Sequence, residues 1–252
     1  MDALAIDHDF WRGRRVFLTG HTGFKGSWLT IMLSRLGATV CGYALDPPTT
    51  PSLYEAAALG ELVDEDHRAD LADRDAVYAA MDAFRPELVL HLAAQSLVRQ
   101  SYVDPLETYR TNVMGTLHVL ESARQCDAVK AVINVTTDKC YAHRDDLTPF
   151  KEDDPMGGAD PYSNSKGCSE LVTACYRQSF MDPEGAALLA SARAGNVIGG
   201  GDWAADRLLP DCYRAFSSGD PLVVRYPGAV RPWQLVLEPL AGYLRLGRAL
   251  LE

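Results

Sequence analysis

The 252-residue chain has few of the features that mark secreted, membrane-spanning or metal-binding proteins. Its six cysteines are scattered, with no Cys-x-x-Cys and no paired Cys/His spacing, which argues against a disulfide framework or a metal site. No stretch approaches the roughly 18 consecutive apolar residues of a membrane-spanning helix. The acidic N-terminus does not resemble a signal peptide. We therefore expect a cytoplasmic protein with no metal and no membrane partner.

Positive charge is also scarce, because 24 lysines and arginines face 34 acidic residues, for a formal net charge of −10. Binding along a nucleic-acid backbone needs clustered cations, so no nucleic-acid partner is expected. A small anionic ligand held by a few local donors remains compatible with this balance.

Strand-like runs alternate with helix-like runs over the first two thirds of the chain. The strands are predicted at 14–18, 39–45, 62–69, 88–92, 129–136 and 186–193, and the helices at 27–36, 73–84, 105–126 and 161–180. Strands separated by helices of this length indicate parallel crossover connections. The sequence therefore predicts an α/β fold with a doubly wound, mostly parallel, Rossmann-type sheet.

The pattern changes after residue 193, where a glycine-rich loop precedes a predicted helix at 206–218, short strands near Leu222 and Gln234, and a last helix from Glu238. We divide the chain into a dinucleotide-binding domain at 10–193 and a smaller, incomplete substrate lobe at 194–252.

A glycine-rich loop joins the first strand to the first helix. Gly20, Gly23 and Gly26 have the spacing G-x-x-G-x-x-G, and Phe24 lies between the last two. Glycine lets the backbone approach a pyrophosphate, and the helix N-terminus offers free N–H groups and partial positive charge. We predict dinucleotide binding here; the alternative is a purely structural turn.

Acidic and small residues at the following strand ends fit the same ligand. Asp46, 26 residues after Gly20, is placed to accept both adenosine ribose hydroxyls and to repel a 2′-phosphate, which favours NAD over NADP. Asp70 and Leu71 could reach the adenine amino group. Both aspartates could instead only form turns or caps. The small residues after His91 are expected beneath the cofactor: Leu92, Ala93 and Ala94.

A second polar group follows the fifth strand. Thr137, Asp138 and Lys139 end that strand, while Tyr162 and Lys166 are four residues apart on a predicted helix and so share one face. An ammonium near a phenol lowers its pKa, so we expect Lys166 to make Tyr162 usable as a base. A polar, solvated loop is the alternative explanation.

These motifs together resemble the extended short-chain dehydrogenase/reductase superfamily. More narrowly, three stretches are similar to the CDP-glucose 4,6-dehydratases: Thr19–Leu29, Ala194–Trp203 and Arg231–Gln234. The resemblance covers the chain from about Phe10 onward. Members of that family continue well past Glu252, which is why we expect the substrate lobe to be incomplete.

The resemblance implies a hydro-lyase that converts CDP-glucose to CDP-4-dehydro-6-deoxyglucose. Tyr162, assisted by Lys166 and Thr137, would deprotonate the sugar 4-hydroxyl while NAD accepts the C4 hydride; Tyr162 and Lys166 would also contact the cofactor. Water then leaves across C5–C6 and the hydride returns to C6. Asp138 would be the acid for the leaving 6-hydroxyl and Lys139 the C5 base, although a solvated cation is the alternative for Lys139.

The resemblance also suggests substrate-binding residues and an oligomer. Asn196, Arg207 and Arg231 would bind the CDP-sugar, with surface salt bridges as the alternative for the arginines. The helices at 105–126 and 161–180 would form a homodimer or homotetramer interface, or would only pack on the sheet. Another sugar-nucleotide dehydratase, a 4-epimerase and a non-catalytic NAD-binding sensor remain alternative functions.

Overall fold

A six-stranded parallel sheet organises the protein. The computed structural model describes residues 6–144, 148–181 and 187–252. The strands are β1 Arg15–Thr19, β2 Thr39–Ala44, β3 Glu65–Arg68, β4 Leu88–His91, β5 Ala131–Val135 and β6 Leu188–Ala192. Their order, β3-β2-β1-β4-β5-β6, reverses between β1 and β4. The prediction of a doubly wound Rossmann-type sheet is confirmed, and a sheet of this kind binds ligands outside the carboxyl ends of its strands near the reversal.

Helices connect and cover the strands. They are α1 His8–Trp11, α2 Phe24–Arg35, α3 Leu53–Ala56, α4 Arg74–Phe84, α5 Val98–Val103, α6 Pro105–Tyr109, α7 Gly115–Gln125, α8 Pro161–Tyr176, α9 Leu208–Ser218 and α10 Leu237–Leu251. Local chemistry sets several of their starts: Asp160, for example, caps α8 by accepting from the Ser163 N–H at 2.9 Å, and Pro161 fits the first helical position. The predicted helix at 105–126 contains a π-turn at Arg110–Met114 that the periodicity does not reveal.

The core has one layer on each face of the sheet, because successive side chains of a strand point to opposite faces. On β1, Val16 and Leu18 join the layer under α2 and α10, whereas Phe17 joins the layer under α4 and α7. The core residues of both layers are almost completely shielded from solvent.

The chain beyond residue 193 forms a separate two-stranded parallel sheet and one helix of the main core. β7 Asn196–Ile198, within the predicted glycine-rich loop, pairs with β8 Trp233–Leu235, which confirms a strand at Gln234. The strand predicted near Leu222 is wrong: the described residues 220–232 contain no strand, since three prolines and Gly228 interrupt them. Leu240 and Leu244 of α10 are buried against the six-stranded sheet. The division into domains at 193/194 stays a prediction.

None of the helices in the described ranges combines the length and the apolar character needed to cross a membrane.

Candidate active site

The glycine loop after β1 is built for close backbone contact. Gly20 has φ +75°, and a Cβ there would lie 2.8 Å from the backbone of Ala93. A Cβ on Gly26 would come 2.0 Å from the Gly20 carbonyl oxygen. Neither position therefore accepts a side chain without moving the loop, and the G-x-x-G-x-x-G pattern has a steric cause here.

The first turn of α2 is free to bind an anion. Gly23 is its N-cap and has no side chain that could accept a hydrogen bond. The first N–H groups of the helix, including that of Phe24, therefore stay available to donate to a ligand. A Cβ on Gly23 would contact only the Gly20 carbonyl oxygen, at 3.4 Å, which leaves space beside the loop. Free donors, partial positive charge and open space together fit the pyrophosphate of a dinucleotide.

A buried hydrogen-bond chain fixes the end of β4 next to this loop. The Thr19 hydroxyl accepts from the N–H groups of Leu92 and Ala93, each at 3.1 Å, and its own proton is directed to His91 Nδ1 at 2.7 Å. His91 Nε2 then faces the Thr116 hydroxyl at 3.1 Å. Burial, aided by the charge of Lys166, lowers the pKa of His91 to about 3, so this histidine is neutral. His91 thereby orients the Thr19 hydroxyl that holds the backbone of Leu92 and Ala93, a role the sequence analysis missed.

The predicted adenosine ligands follow the carboxyl ends of β2 and β3. The Asp46 carboxylate is 90% exposed and 3.5 Å from the Arg68 guanidinium. Asp70 accepts from the Ala72 N–H at 2.9 Å and from Arg110 at 3.0 Å, which is the geometry of a turn, whereas the N-cap of α4 is Asp73. Leu71 is buried, and its carbonyl accepts from His118 Nδ1 at 2.7 Å.

The predicted catalytic residues come together at the carboxyl ends of β5 and β6. Thr137, Asp138 and Lys139 form a short turn after β5, and the Thr137 hydroxyl donates to Asp138 at 3.1 Å. Lys139 Nζ lies 2.9 Å from Asp138 and 3.1 Å from Asn196 Oδ1. Tyr162, in the first turn of α8, shares a hydrogen bond with Thr137.

The expectation that Lys166 lowers the Tyr162 pKa does not hold in this structure. Burial raises the pKa of Tyr162 to about 12, against the opposing effects of the Thr137 hydrogen bond and the Arg207 charge. Burial, together with the charge of Lys25, lowers the pKa of Lys166 to about 8. The Lys166 ammonium donates to the Val135 carbonyl at 3.2 Å. Desolvation of both groups outweighs any stabilisation of a phenolate.

Of the predicted substrate ligands, two belong to this cluster. Asn196 contacts Lys139, and Arg207 bridges Asp202 at 2.9 Å and the Ser96 hydroxyl at 3.0 Å while its charge acts on Tyr162. The Arg231 side chain is exposed, and among the described residues its hydrogen bond goes to the Val230 carbonyl at 2.8 Å. The structure thus brings Asn196 into contact with the cluster and Arg207 close enough for its charge to act on Tyr162, whereas the Arg231 guanidinium shows no effect on the cluster within the described residues.

Lys25 is a member of the cluster that the sequence analysis did not single out, although it lies inside the glycine motif. Burial lowers the pKa of Lys25 to about 8, and the nearby charges of Arg207 and Lys139 act in the same direction while Asp138 opposes them. Its place in the first turn of α2 adds the unfavourable positive end of the helix dipole. The sequence does contain a signal for Lys25, because a lysine in the first turn of a helix is electrostatically unfavourable and therefore suggests a specific role.

Replacing Lys25 with methionine is expected to stabilise the protein at pH 7, by on the order of 1–3 kcal/mol after allowance for partial exposure. The folded-state pKa lies below the usual value of 10.5, so the unfolded chain holds more protons between about pH 8 and 10.5. Stability contributed by this site rises with pH across that window. The advantage of the variant should therefore shrink from pH 8 towards pH 10.5 in urea unfolding curves.

The matched control is Lys130→Met, just before the amino end of β5 and so at the opposite end of the strands, where the lysine is 60% exposed and pairs with Glu87. That variant should show no such pH-dependent gain. An advantage of Lys25→Met that is equal at pH 7 and pH 10 would mean that the ammonium carries no penalty.

The buried ion pair of Glu170 and Arg193 lies next to the cluster, and the sequence analysis did not predict it. Glu170, one turn after Lys166 on α8, accepts from Arg193 Nε at 3.0 Å, from the Ser191 hydroxyl at 2.7 Å and from the Thr136 hydroxyl. Arg193 also donates to the Tyr141 hydroxyl at 2.8 Å. The pair ties α8 and the end of β6 to the segment after Asp138 and Lys139.

One group of potential metal ligands lies away from the strand ends, where Cys41, Glu65 and His67 offer atoms within 4.8 Å of one another. Burial raises the pKa of the Cys41 thiol, which opposes the thiolate that a metal would bind.

Known proteins are similar to this chain. The family described as GDP-mannose 4,6 dehydratase matches residues 17–184. A CDP-glucose 4,6-dehydratase of Salmonella typhimurium is 54% identical over 249 residues, which are 97% of this chain and 69% of that enzyme. The chain belongs to the CDP-glucose 4,6-dehydratase family.

More distant proteins are also similar to this chain, one in sequence and two in fold. A probable dTDP-glucose 4,6-dehydratase of Sinorhizobium fredii is 32% identical over 66% of this chain and 50% of its own length. The structure of a Thermus thermophilus UDP-glucose 4-epimerase in complex with NAD superposes with a TM-score of 0.77 at 26% identity, over 92% of this chain and 74% of that one. DesIV, a dTDP-glucose 4,6-dehydratase of Streptomyces venezuelae solved with NAD, gives 0.76 at 25% identity, over 91% and 70%.

Proposed function

We propose that the chain catalyses the NAD-dependent dehydration of CDP-D-glucose to CDP-4-dehydro-6-deoxy-D-glucose and water. The observation that carries the proposal is the contact of Thr137 with both Tyr162 and Asp138 beside the glycine loop, in a chain 54% identical to a CDP-glucose 4,6-dehydratase. A 4,6-dehydration needs a base for the 4-hydroxyl and an acid for the departing 6-hydroxyl. Both types of group are present here.

The cofactor site fits NAD. The pyrophosphate would lie against Gly20, Gly23 and the α2 N–H groups of Phe24 and Gly26. The nicotinamide ring would lie above Leu92, Ala93 and Ala94. At the other end of the cofactor, Asp46 would bind the adenosine ribose, and Asp70 and Leu71 would lie by the adenine. When bound, NAD accepts a hydride and later returns it, so the sugar undergoes no net oxidation. Its contacts with Tyr162 and Lys166 are part of the proposal.

Tyr162 takes the proton of the sugar 4-hydroxyl. A phenol whose pKa is about 12 is protonated at neutral pH, so it must transfer its own proton as it receives that of the substrate. The Thr137 hydroxyl bonded to Tyr162 offers such a path, because it donates in turn to Asp138, and the charge of Arg207 favours any negative charge that develops on the Tyr162 oxygen during the transfer. Lys166 also anchors this helix to β5 through the Val135 carbonyl.

Asp138 donates the proton to the departing 6-hydroxyl, and the C5 proton goes to a base beside it. Lys139 is the proposed base, but its ammonium is held as a donor by Asp138 and Asn196. An ammonium has no lone pair, so Lys139 must first release a proton to solvent before it can accept the one from C5. Within the resting arrangement, Lys139 therefore acts as the cation that orients Asp138.

The CDP-sugar would bind through Asn196, Arg207 and Arg231, where arginine suits a diphosphate. A homodimer or homotetramer would pack through α6, α7 and α8, which leave Leu106 82% and Leu171 60% exposed. The chain spans 69% of the Salmonella enzyme. The cytoplasmic location stays a prediction.

The test is to incubate the purified chain with NAD⁺ and CDP-glucose and to detect the dehydrated 4-keto product by mass spectrometry. UDP-, GDP- and dTDP-glucose are run in parallel, and a longer version that matches the full length of the relative is run beside it. Turnover of the other nucleotide sugars alone would refute the cytidine specificity. A C4 epimer as the product would favour an epimerase, and NAD binding without turnover in either version would favour a non-catalytic protein.

A further inference from the structure

An arginine that the proposed reaction does not use lies at the adenosine end of the dinucleotide site. Arg68, the last residue of β3, reaches with Nη1 to within 3.5 Å of Asp46 Oδ1. Asp46 is the carboxylate expected to accept the ribose hydroxyls and to exclude a 2′-phosphate. A guanidinium beside it has the opposite effect on a phosphate, because it attracts the charge that the carboxylate repels.

The Arg68 guanidinium is held in place independently of Asp46. Two parallel hydrogen bonds join it to Asp66, from Nε at 2.8 Å and from Nη2 at 2.9 Å. Its central carbon also lies 4.5 Å from the centre of the Tyr54 ring. Asp66 and Arg68 are two residues apart on a strand and so share a face, which makes this fork possible.

Asp66 is itself a firm anchor. It accepts from the Tyr54 hydroxyl at 2.7 Å and faces His21 Nε2 at 2.9 Å, and His21 is fully buried in the glycine loop. Burial alone would raise the pKa of Asp66, but the hydrogen bonds from Arg68, Tyr54 and His21 lower it to about 2. The carboxylate stays charged, so Arg68 stays oriented whether or not Asp46 is present.

Nη1 is the Arg68 nitrogen that Asp66 does not hold, and it is directed at the carboxylate of Asp46, the residue expected to bind the ribose. A guanidinium with two of its nitrogens fixed and the third free to bind is pre-organised for a phosphate oxygen at little entropic cost. In doubly wound folds, an arginine near the ribose is what accommodates a 2′-phosphate.

We propose that the Asp46–Arg68 pair, and not Asp46 alone, sets the preference of this chain between NAD and NADP. Arg68 is the specificity-determining residue: it partly neutralises Asp46 in the native protein and becomes the ligand of a 2′-phosphate when that carboxylate is removed. The inference rests on the proposed NAD site, but it requires neither the dehydration nor the CDP specificity.

The experiment measures dissociation constants for NAD⁺ and NADP⁺ by isothermal titration calorimetry on four proteins: the wild type, Asp46→Ser, Arg68→Met and the double variant. A phosphate–arginine contact changes affinity by roughly tenfold to hundredfold. Asp46→Ser should strengthen NADP⁺ binding by that factor, and adding Arg68→Met should remove the gain. Arg68→Met alone should weaken NADP⁺ more than NAD⁺.

The ratio of the two affinities is the deciding readout, since loss of structure would weaken both dinucleotides alike. Arg124→Met, which removes an exposed arginine paired with Glu121 on α7, is the matched control and should leave the ratio unchanged. Titration with 2′,5′-ADP against ADP repeats the comparison on the adenosine end alone.

The outcomes separate the two proposals. An NADP⁺ gain in Asp46→Ser that persists in the double variant, or no gain at all while NAD⁺ still binds the wild type, would overturn the role of Arg68. A shift of the ratio as expected, in a protein that does not dehydrate CDP-glucose, would leave the role of Arg68 standing and refute the proposed reaction. Failure of both dinucleotides to bind the wild type would overturn both.

Discussion

Replacing Tyr162 with phenylalanine is expected to reduce the rate of CDP-glucose dehydration by roughly 10²- to 10⁴-fold, the usual contribution of general acid–base catalysis. The ring stays in its pocket and only the hydroxyl is lost, so packing of the buried side chain is retained. Without the hydroxyl, nothing relays the 4-hydroxyl proton towards Thr137. The measurement is the initial rate of 4-keto product formation at saturating substrate, with CDP binding followed separately by calorimetry.

Tyr176→Phe is the matched control, because Tyr176 is on the same helix and its hydroxyl lies 3.1 Å from Glu121, away from the cluster. That variant should keep most of the wild-type rate. A Tyr162→Phe protein that binds CDP normally and turns over at the wild-type rate would rule out Tyr162 as the base. Loss of CDP binding together with the rate would point to a role in substrate positioning instead.

The parts of the fold that the sequence predicts well are those with local causes. The buried β-branched run around Val132 and Ile133 predicts a central strand of a parallel sheet. The glycines between β1 and α2 likewise predict the position of the loop, because both patterns act within a few residues. β7 and β8 are different, because three-residue strands whose paired residues lie 37 positions apart in sequence (Asn196 with Trp233, for example) pair only in the folded chain. Similarly, the π-turn at Arg110–Met114 has the composition of an ordinary helix.

The candidate site follows the same division. Gly20 and Gly26 could be picked out because their conformational demands are visible in the motif itself. The low pKa of Lys25 comes first from burial and then from the charges of Arg207 and Lys139, which are remote in sequence, and no local pattern predicts either effect. The rise of the Tyr162 pKa has the same origin, since it comes from burial and not from the lysine four residues later.

Replacing Arg193 with methionine is expected to lower the free energy of unfolding by about 3–5 kcal/mol, the cost of leaving a buried charge without its partner. Glu170 is 5% exposed and Arg193 17% exposed, so water cannot replace the lost cation. Burial alone raises the pKa of Glu170, and hydrogen bonds from Arg193, Thr136 and Ser191 bring it below its usual value. Urea unfolding at pH 7 measures the loss.

The exposed pair of Arg124 and Glu121 supplies the comparison, because Arg124→Met should cost less than about 1 kcal/mol. Without Arg193 the pKa of Glu170 should rise above its unfolded value, so the folded variant takes up a proton more readily and its deficit should shrink as the pH falls through that range. Glu170→Gln in the Arg193→Met background removes the stranded charge and should recover part of the loss at pH 7. A deficit that is independent of pH and not reduced in the double variant would mean that Arg193 acts through packing on Tyr141, not through its charge.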